Sequence, residues 1–336
     1  MQDILNPQIG LPLIFAMLMG LSILIYVVLD GYDLGVGALF LVAPHDDKDR
    51  MIASIGPFWD ANETWLVLSV GLLLVAFPVA HGIILTALYL PVAVMLIGLI
   101  LRGVAFEFRA KVDPRRKAMW NGLFAAGSLM TALSQGFMLG LYILGLEYTW
   151  QGIAFALLCA ICLTSGYAFI GACWLIYKAE GELQRRAVAW ARRLVPMVAV
   201  GILAVSIASP LVSPRIAEKW FSLPELILLM PLPVVSAGLL AGLWYVLGHL
   251  PTHNDRASWL PFAAGSSLFV LAFMGLAYSF YPYVVPDRLT IFQAASSPDS
   301  LMFILVGAAI VVPVILGYTI YAYRVFSGKA TELRYD

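Results

Sequence analysis

Apolar residues fall along this chain in nine long runs separated by short polar stretches, near 10–42, 57–77, 82–106, 119–143, 152–177, 190–209, 224–247, 259–281 and 300–323. Crossing the ~30 Å hydrocarbon core of a bilayer as a helix takes about 20 apolar residues, so each run is long enough to span. No gap between runs exceeds about twenty residues, which leaves no room for a soluble domain. The links "PVAH" (78–81) and "GLEYTWQ" (145–151) force the spans on either side to run antiparallel. The pattern predicts an all-α integral membrane protein of nine transmembrane helices.

The polar stretches carry the orientation, because Lys and Arg are retained on the cytoplasmic side. With the N-terminus outside, the inner segments collect all but three of the 20 basic residues: Lys48 and Arg50, the group from Arg102 to Lys117, the group from Lys178 to Arg193, Arg256, and Arg324, Lys329 and Arg334. Only Arg215, Lys219 and Arg288 stay outside. An outer N-terminus and an inner C-terminus follow, as an odd number of spans requires. The longest polar loops, 102–118 and 178–189, divide the chain into helices 1–4 (about 10–143), helices 5–8 (about 152–281) and a ninth (about 300–323). Two four-helix bundles plus one peripheral helix are expected. "GYDLGVGA" from residue 31 and "GYAFIGAC" from residue 166 share little more than Gly-Tyr, too little to prove duplication.

Composition agrees with the membrane assignment: 62% of the 336 residues are hydrophobic and 12% charged, against roughly a quarter charged in soluble domains. Net charge is zero and the basic residues form no stripe or tail, which sets nucleic-acid binding aside. Cys159, Cys162 and Cys173 lie within one apolar run and read as small hydrophobes rather than as redox or metal ligands. The stretch "MQDILNP" has no basic region, and the run after it is too long for a signal sequence. It reads as the start of a retained first helix.

Charge inside the spans is confined to the first half. In "LDGYDLGVGALF", Asp30 and Asp33 are one helical turn apart on adjoining parts of one face, and each costs roughly 2.5–3.5 kcal/mol at mid-membrane. The pair must face protein or water. Gly31, Gly35 and Gly37 beside them suit close helix approach. In "GPFWDANETWL", Gly56 and Pro57 read as a helix start, which puts Asp60 and Glu63 in the first two turns of span 2. Span 3 closes on "LRGVAFEFRAK", with Arg102 at the last apolar turn and Glu107 and Arg109 beyond it.

Three helices thus bring opposite charges to one layer on the cytoplasmic side, with acid in excess. The residues alone admit three readings: an ion-pair cluster that fixes packing, a proton or cation path, and the binding site of a stand-alone proton- or cation-coupled transporter. Ser128, Thr131 and Gln135 line one face of span 4 and read as helix-to-helix hydrogen bonding. His45, His81, His249 and His253 all lie at span ends or in loops, so no span offers an interior histidine to a haem iron. Phosphate loops, nucleophile elbows and metal-ligand spacings are missing too.

Taken together, Asp30-Gly31-Tyr32-Asp33-Leu34-Gly35, then Trp59-Asp60-x-Asn62-x-x-Trp65, then "RGVAFEFR" from Arg102 to Arg109 resemble subunit II of the cytochrome bd-type quinol oxidases, in order and spacing over nearly the whole chain. The resemblance implies the haem-free half of a heterodimer in the bacterial cytoplasmic membrane. The partner, subunit I, would bind the low-spin haem b, the high-spin haem b and haem d and oxidise quinol near the outer face. Dioxygen would be reduced to water with cytoplasmic protons. A helix-2 aspartate of the family is implicated in proton passage, and the matching residue is Asp60, with Asp30, Asp33 and Glu63 beside it. The family places a lipophilic oxygen route near the second tryptophan of the motif, here Trp65; Trp59 and Asn62 share that route or pack against the partner. Some members hold a structural quinone in subunit II, and some complexes add a small single-span subunit; neither is assigned residues here. Glu63 departs from the Gln of some members, and the motif looks closer to the cyanide-insensitive branch.

Overall fold

The computed structural model describes residues 6–252 and 255–330. His253, Arg334 and residues 1–5 of the N-terminal stretch lie outside the described residues. The described helices are α1 (Pro7–Leu39), α2 (Lys48–Ile55), α3 (Trp59–Ala76), α4 (Pro78–Arg109), α5 (Lys117–Ile143), α6 (Trp150–Lys178), α7 (Gly181–Val212), α8 (Pro214–Phe221), α9 (Glu225–Leu229), α10 (Pro231–Leu247), α11 (Leu260–Phe280), α12 (Ile291–Ala294) and α13 (Pro298–Val325). A two-stranded hairpin, β1 (Tyr283–Val285) with β2 (Leu289–Thr290), sits between α11 and α12.

Eight stretches among the described residues are long and apolar enough to cross a membrane: α1, α4, α5, α6, α7, Glu225–His249, α11 and α13. The second apolar run is met differently. The lead-in His45–Ile55 and α3 meet at a bend of 56°, and taken as one broken crossing they make nine.

Two boundaries depart from the sequence expectation. Pro57 does not open α3; it lies in the bend, where Phe58 N–H donates to Ile55 O at 2.9 Å, and the helix begins at Trp59. The polar segment 178–189 is mostly helix, because α7 starts at Gly181, whose φ of 63° suits glycine. Its first turns bury Leu183, Gln184, Ala187 and Val188 while Glu182 and Arg185 face out. An amphipathic extension outside the apolar run looks polar in sequence and is helical all the same.

Helix α1 lies at the centre, packed against α3, α5, α6, α11 and α13. Its tightest crossing is with α6, and it joins the two Gly-Tyr stretches. A Cβ on Gly35 would lie 1.7 Å from Tyr167 O, and one on Gly171 would lie 2.6 Å from the Gly35 carbonyl carbon. Only glycine permits that approach, the close contact the sequence suggested for this part of α1. The α4–α5 crossing is built alike, with Gly98 and Gly127 facing each other's backbone. Helices α4 to α7 then pack in sequence order, and α10 and α11 close against α7 and α6. Helix α13 touches α1 and α3 and leaves most of its surface exposed.

The polar residues sort to two ends. At one, Arg215 Nε pairs with Asp287 Oδ1 at 2.8 Å, Arg288 with Glu147 at 3.7 Å, and Lys219 donates to Tyr281 O. At the other, Lys117 Nζ pairs with Asp49 Oδ2 at 2.7 Å, Arg186 with Asp47, and Lys329 with Asp255.

Candidate functional site

Three helices deliver one buried polar cluster. Asp30 and Asp33 project from the last third of α1, both 1% exposed or less. Arg102, also 1% exposed, reaches in from α4 and sets Nη1 2.7 Å from Asp30 Oδ1. Glu63 of α3 approaches the same guanidinium at 3.5 Å with its side chain 26% exposed, so it stands at the rim. Two carboxyls therefore pair with one guanidinium, and a third, Asp33, lies in the same buried layer beside them. Asp30 Oδ2, Asp33 Oδ1 and Arg102 Nε find no hydrogen-bond partner among the described residues, and Asp33 and Arg102 border a narrow space closed by Ile55, Trp59, Phe106 and Phe124.

The inward stripe of α3 runs Asn62, Trp65, Ser69, Leu72, Ala76, a three-and-four spacing that puts Asn62 level with Asp33. Asn62 Nδ2 lies 2.8 Å from Asp33 Oδ2, 3.0 Å from Tyr32 OH and 3.3 Å from Leu29 O and divides its two N–H protons among these acceptors. Tyr323, from α13, donates to Asn62 Oδ1 at 3.1 Å, and its oxygen lies 2.6 Å from Tyr32 OH. On the other side of Asp30, Gln135 joins three helices, donating to Tyr26 OH at 2.6 Å and accepting from Tyr167 OH at 2.8 Å. Thr131 bonds to Met95 O of α4 at 3.4 Å, whereas Ser128 turns back to Phe124 O of its own helix. The span-4 line thus does the helix-joining work expected of it at two of its three positions.

The other candidates lie apart. Asp60 is exposed, on the face of α3 opposite the Asn62 stripe, with no ion pair among the described residues. Trp59 is half-buried, with its ring 4.9 Å from that of Phe106 and 6.0 Å from the Arg102 guanidinium carbon. Trp65 is buried, and its indole N–H has no partner among the described residues. Glu107 faces outward beside Lys111 at 3.9 Å. Arg109 is buried but belongs to a second cluster, bonded to Asp49 and Asn121.

Residues 11–326 match the family model for cytochrome bd terminal oxidase subunit II. The chain belongs to that family. Similar proteins include the probable cytochrome oxidase subunit 2 of Haemophilus influenzae, 28% identical with 94% of this chain and 93% of that protein covered. The cytochrome bd-I ubiquinol oxidase subunit 2 of Escherichia coli is 26% identical, with 95% of each covered. The cytochrome bd ubiquinol oxidase subunit 2 of Bacillus subtilis is 26% identical, with 90% of this chain and 92% of that protein covered. The bd oxidase structure from Geobacillus thermodenitrificans shares the fold, with a TM-score of 0.76 at 18% identity over 95% of this chain and 99% of that one.

The bd family implies haems in the complex, and the described histidines of this subunit II are not placed to hold one. Among the described residues, His45 and His249 are exposed and His81 is half-buried in the first turn of α4, so none reaches the interior as an axial ligand would have to. The three cysteines are unpaired, with Cys159 and Cys173 buried.

Some residues of this subunit II escaped the sequence reading. Asp49, in the charged lead-in helix outside the apolar crossings, bonds both Arg109 and Lys117. Burial works against its carboxylate, yet the hydrogen bonds from Lys117 and Arg109 outweigh it and hold the pKa below the usual range. Lys178, 3% exposed, donates to Phe326 O at 2.7 Å among the rings of Phe58, Trp174 and Tyr177. Tyr32 and Tyr323 gave no signal in an apolar run. Asn62 did give one, as the sole amide on a stripe shared with Trp65 and Ser69.

Proposed function

We propose that this chain is the haem-free subunit of a bd-type quinol oxidase and that its buried acids pass protons from the cytoplasmic side toward the partner. The complex couples quinol oxidation to the reduction of dioxygen to water, the chemistry its haems supply when bound in subunit I. Among the described residues no histidine is placed to ligate iron. This chain's part is to exclude water around the buried layer and to hold and move protons there.

The observation that carries the proton role is the ratio of charges. A buried guanidinium with one carboxylate is a closed ion pair, while three carboxyls around one guanidinium approach neutrality only by holding protons. Burying net charge is costly, so such a cluster accepts and releases protons instead of standing fully ionised. Glu63 at the half-open rim gives the layer its connection to water, and Asp30 and Asp33 are the interior stations. Asp60 stands one turn before Glu63 on the outer face of α3, and we assign it to the surface that subunit I covers, with Trp59 beside it. Trp65 lies inward and serves packing or a lipophilic oxygen route. The gathering of Arg215, Lys219 and Arg288 at one end and of the other paired basic residues at the opposite end supports an outer N-terminus and an inner C-terminus.

The test is Asp30→Asn and Asp33→Asn, each in a complex assembled with subunit I and retaining its full haem spectrum. Quinol oxidase turnover and proton uptake should fall together by about a hundredfold, the lower end of what proton-transfer groups contribute. Asp60→Asn should act likewise if it feeds the partner. Full turnover and proton uptake in both interior variants would remove the relay and leave a packing role.

A further inference from the structure

The hydroxyls and amide around Asp33 close into a ring whose sense is set by counting donors. Leu29 O can only accept, and it lies 3.3 Å from one terminal atom of the Asn62 amide. That atom is therefore the nitrogen, and the amide oxygen faces Tyr323. Tyr323 has one proton and spends it on Asn62 Oδ1 at 3.1 Å. The 2.6 Å contact between the tyrosines is then a donation from Tyr32 to Tyr323, and Tyr32 in turn accepts, at 3.0 Å, from the second Asn62 N–H, which it shares with the more distant Leu29 O. The ring runs one way: Asn62 to Tyr32, Tyr32 to Tyr323, Tyr323 back to Asn62.

The consequence falls on Asp33. The Asn62 N–H at 2.8 Å occupies Asp33 Oδ2 whether or not the carboxyl is protonated, because Leu29 O prevents the amide from turning over. The other oxygen, Oδ1, has no partner among the described residues, and Asp33 borders the narrow space it shares with Arg102 and Trp59. We infer that Asn62 and Tyr323 are positioning residues which reserve Asp33 Oδ1 as the atom that takes up and releases the relayed proton. The ninth helix thereby has a task in the relay, since Tyr323 is its one contribution to the ring. Tyr323 is fixed there by packing, 4.5 Å from the Phe58 ring and 6.0 Å from that of Trp174, while the Tyr32 ring stacks 4.2 Å from Trp174. The other charged groups of this layer are Asp30, Glu63 and Arg102; none bonds to the ring.

This inference rests on the relay reading, and one set of variants tests the two separately. In the assembled complex, Tyr323→Phe keeps the ring packing and removes the donor to Asn62. The carboxyl C=O infrared band that disappears in Asp33→Asn should shift in Tyr323→Phe. Turnover should fall by about fivefold, as expected from one lost hydrogen bond in a network, with the KM for quinol unchanged. Asn62→Leu should move the same band further. An unmoved band and full turnover in Tyr323→Phe, with Asp33→Asn inactive, would overturn the ring's role and leave the relay standing. Full activity of Asp33→Asn would overturn the relay and this inference with it.

Discussion

Two of the buried basic side chains, Arg102 and Lys178, lie near the same end of the molecule, and their surroundings have nothing in common. Arg102 pairs with two carboxyls drawn from two helices, Asp30 and Glu63, and a third, Asp33, borders the same narrow space. Lys178 faces no carboxylate among its contacts; it is held by three aromatic rings and one backbone carbonyl, Phe326 O. The residues after α13 fold back onto the same place, with Ala330 N–H donating to Lys178 O at 2.8 Å and Lys329 to Ala179 O at 2.9 Å. A cation among rings and carbonyls ties down the end of a helix, and its surroundings offer no proton sites. In the proposed relay, a cation among excess acids balances a charge that changes as protons come and go. The contrast separates a clamp from the proposed relay, although both are buried lysine-or-arginine positions by composition.

The contrast breaks most visibly at Arg102. Arg102→Leu leaves Asp30 buried without its counter-ion, a loss of about 3–5 kcal/mol, and the assembled complex should fail to accumulate in the membrane. Asp30→Asn combined with Arg102→Leu should recover assembly but not turnover; recovery of both would make the cluster a packing device. At Lys178 the expected effect is smaller and of another kind. Lys178→Met leaves the Phe326 carbonyl unsatisfied, which costs about 1–3 kcal/mol, and should lower the thermal midpoint of the purified complex while turnover and proton uptake persist.

Glu63→Gln sharpens the comparison within the working site. Its 3.5 Å contact with Arg102 and part-open position make it the least bound of the three acids, so turnover should fall less than in Asp30→Asn. The smallest effect is at Asp49, which pairs with neither Arg102 nor Lys178. Its folded pKa lies below the ordinary value of about 3.9. Its stabilisation is therefore complete above about pH 4 and is lost as acidification protonates the folded carboxyl. With the side chain 56% exposed, solvent screening keeps it modest. Thermal midpoints of wild type and Asp49→Asn should differ slightly near neutrality and converge in acid.

The crossings were legible from run length because the bilayer imposes one dimension on every span. The broken second crossing was less so, since Pro57 sits in a bend that local pattern does not distinguish from a helix start. Asp30, Asp33 and Arg102 could be grouped because charge in an apolar run has few places to go. Asp60 could not be separated from them by charge alone. What separates it is the phase of α3, where Asn62, Trp65 and Ser69 mark the inward face and Asp60 falls on the other. In a lipid-facing helix both faces are apolar beyond the first turns, so the usual contrast between core and surface gives no phase. Tyr323 lies 261 residues from Asn62, a pairing that only the closed fold reveals.

The ion pair between Asp30 and Arg102 also has a history during synthesis. About 70 residues separate its partners, so at roughly 5–20 residues per second the first helix is made several seconds before its arginine exists. For that interval two acids sit on a helix with no counter-charge, the costliest state the segment passes through. Early insertion of this helix thus carries the full cost of its acids, and the arrival of the third crossing supplies the counter-charge to Asp30.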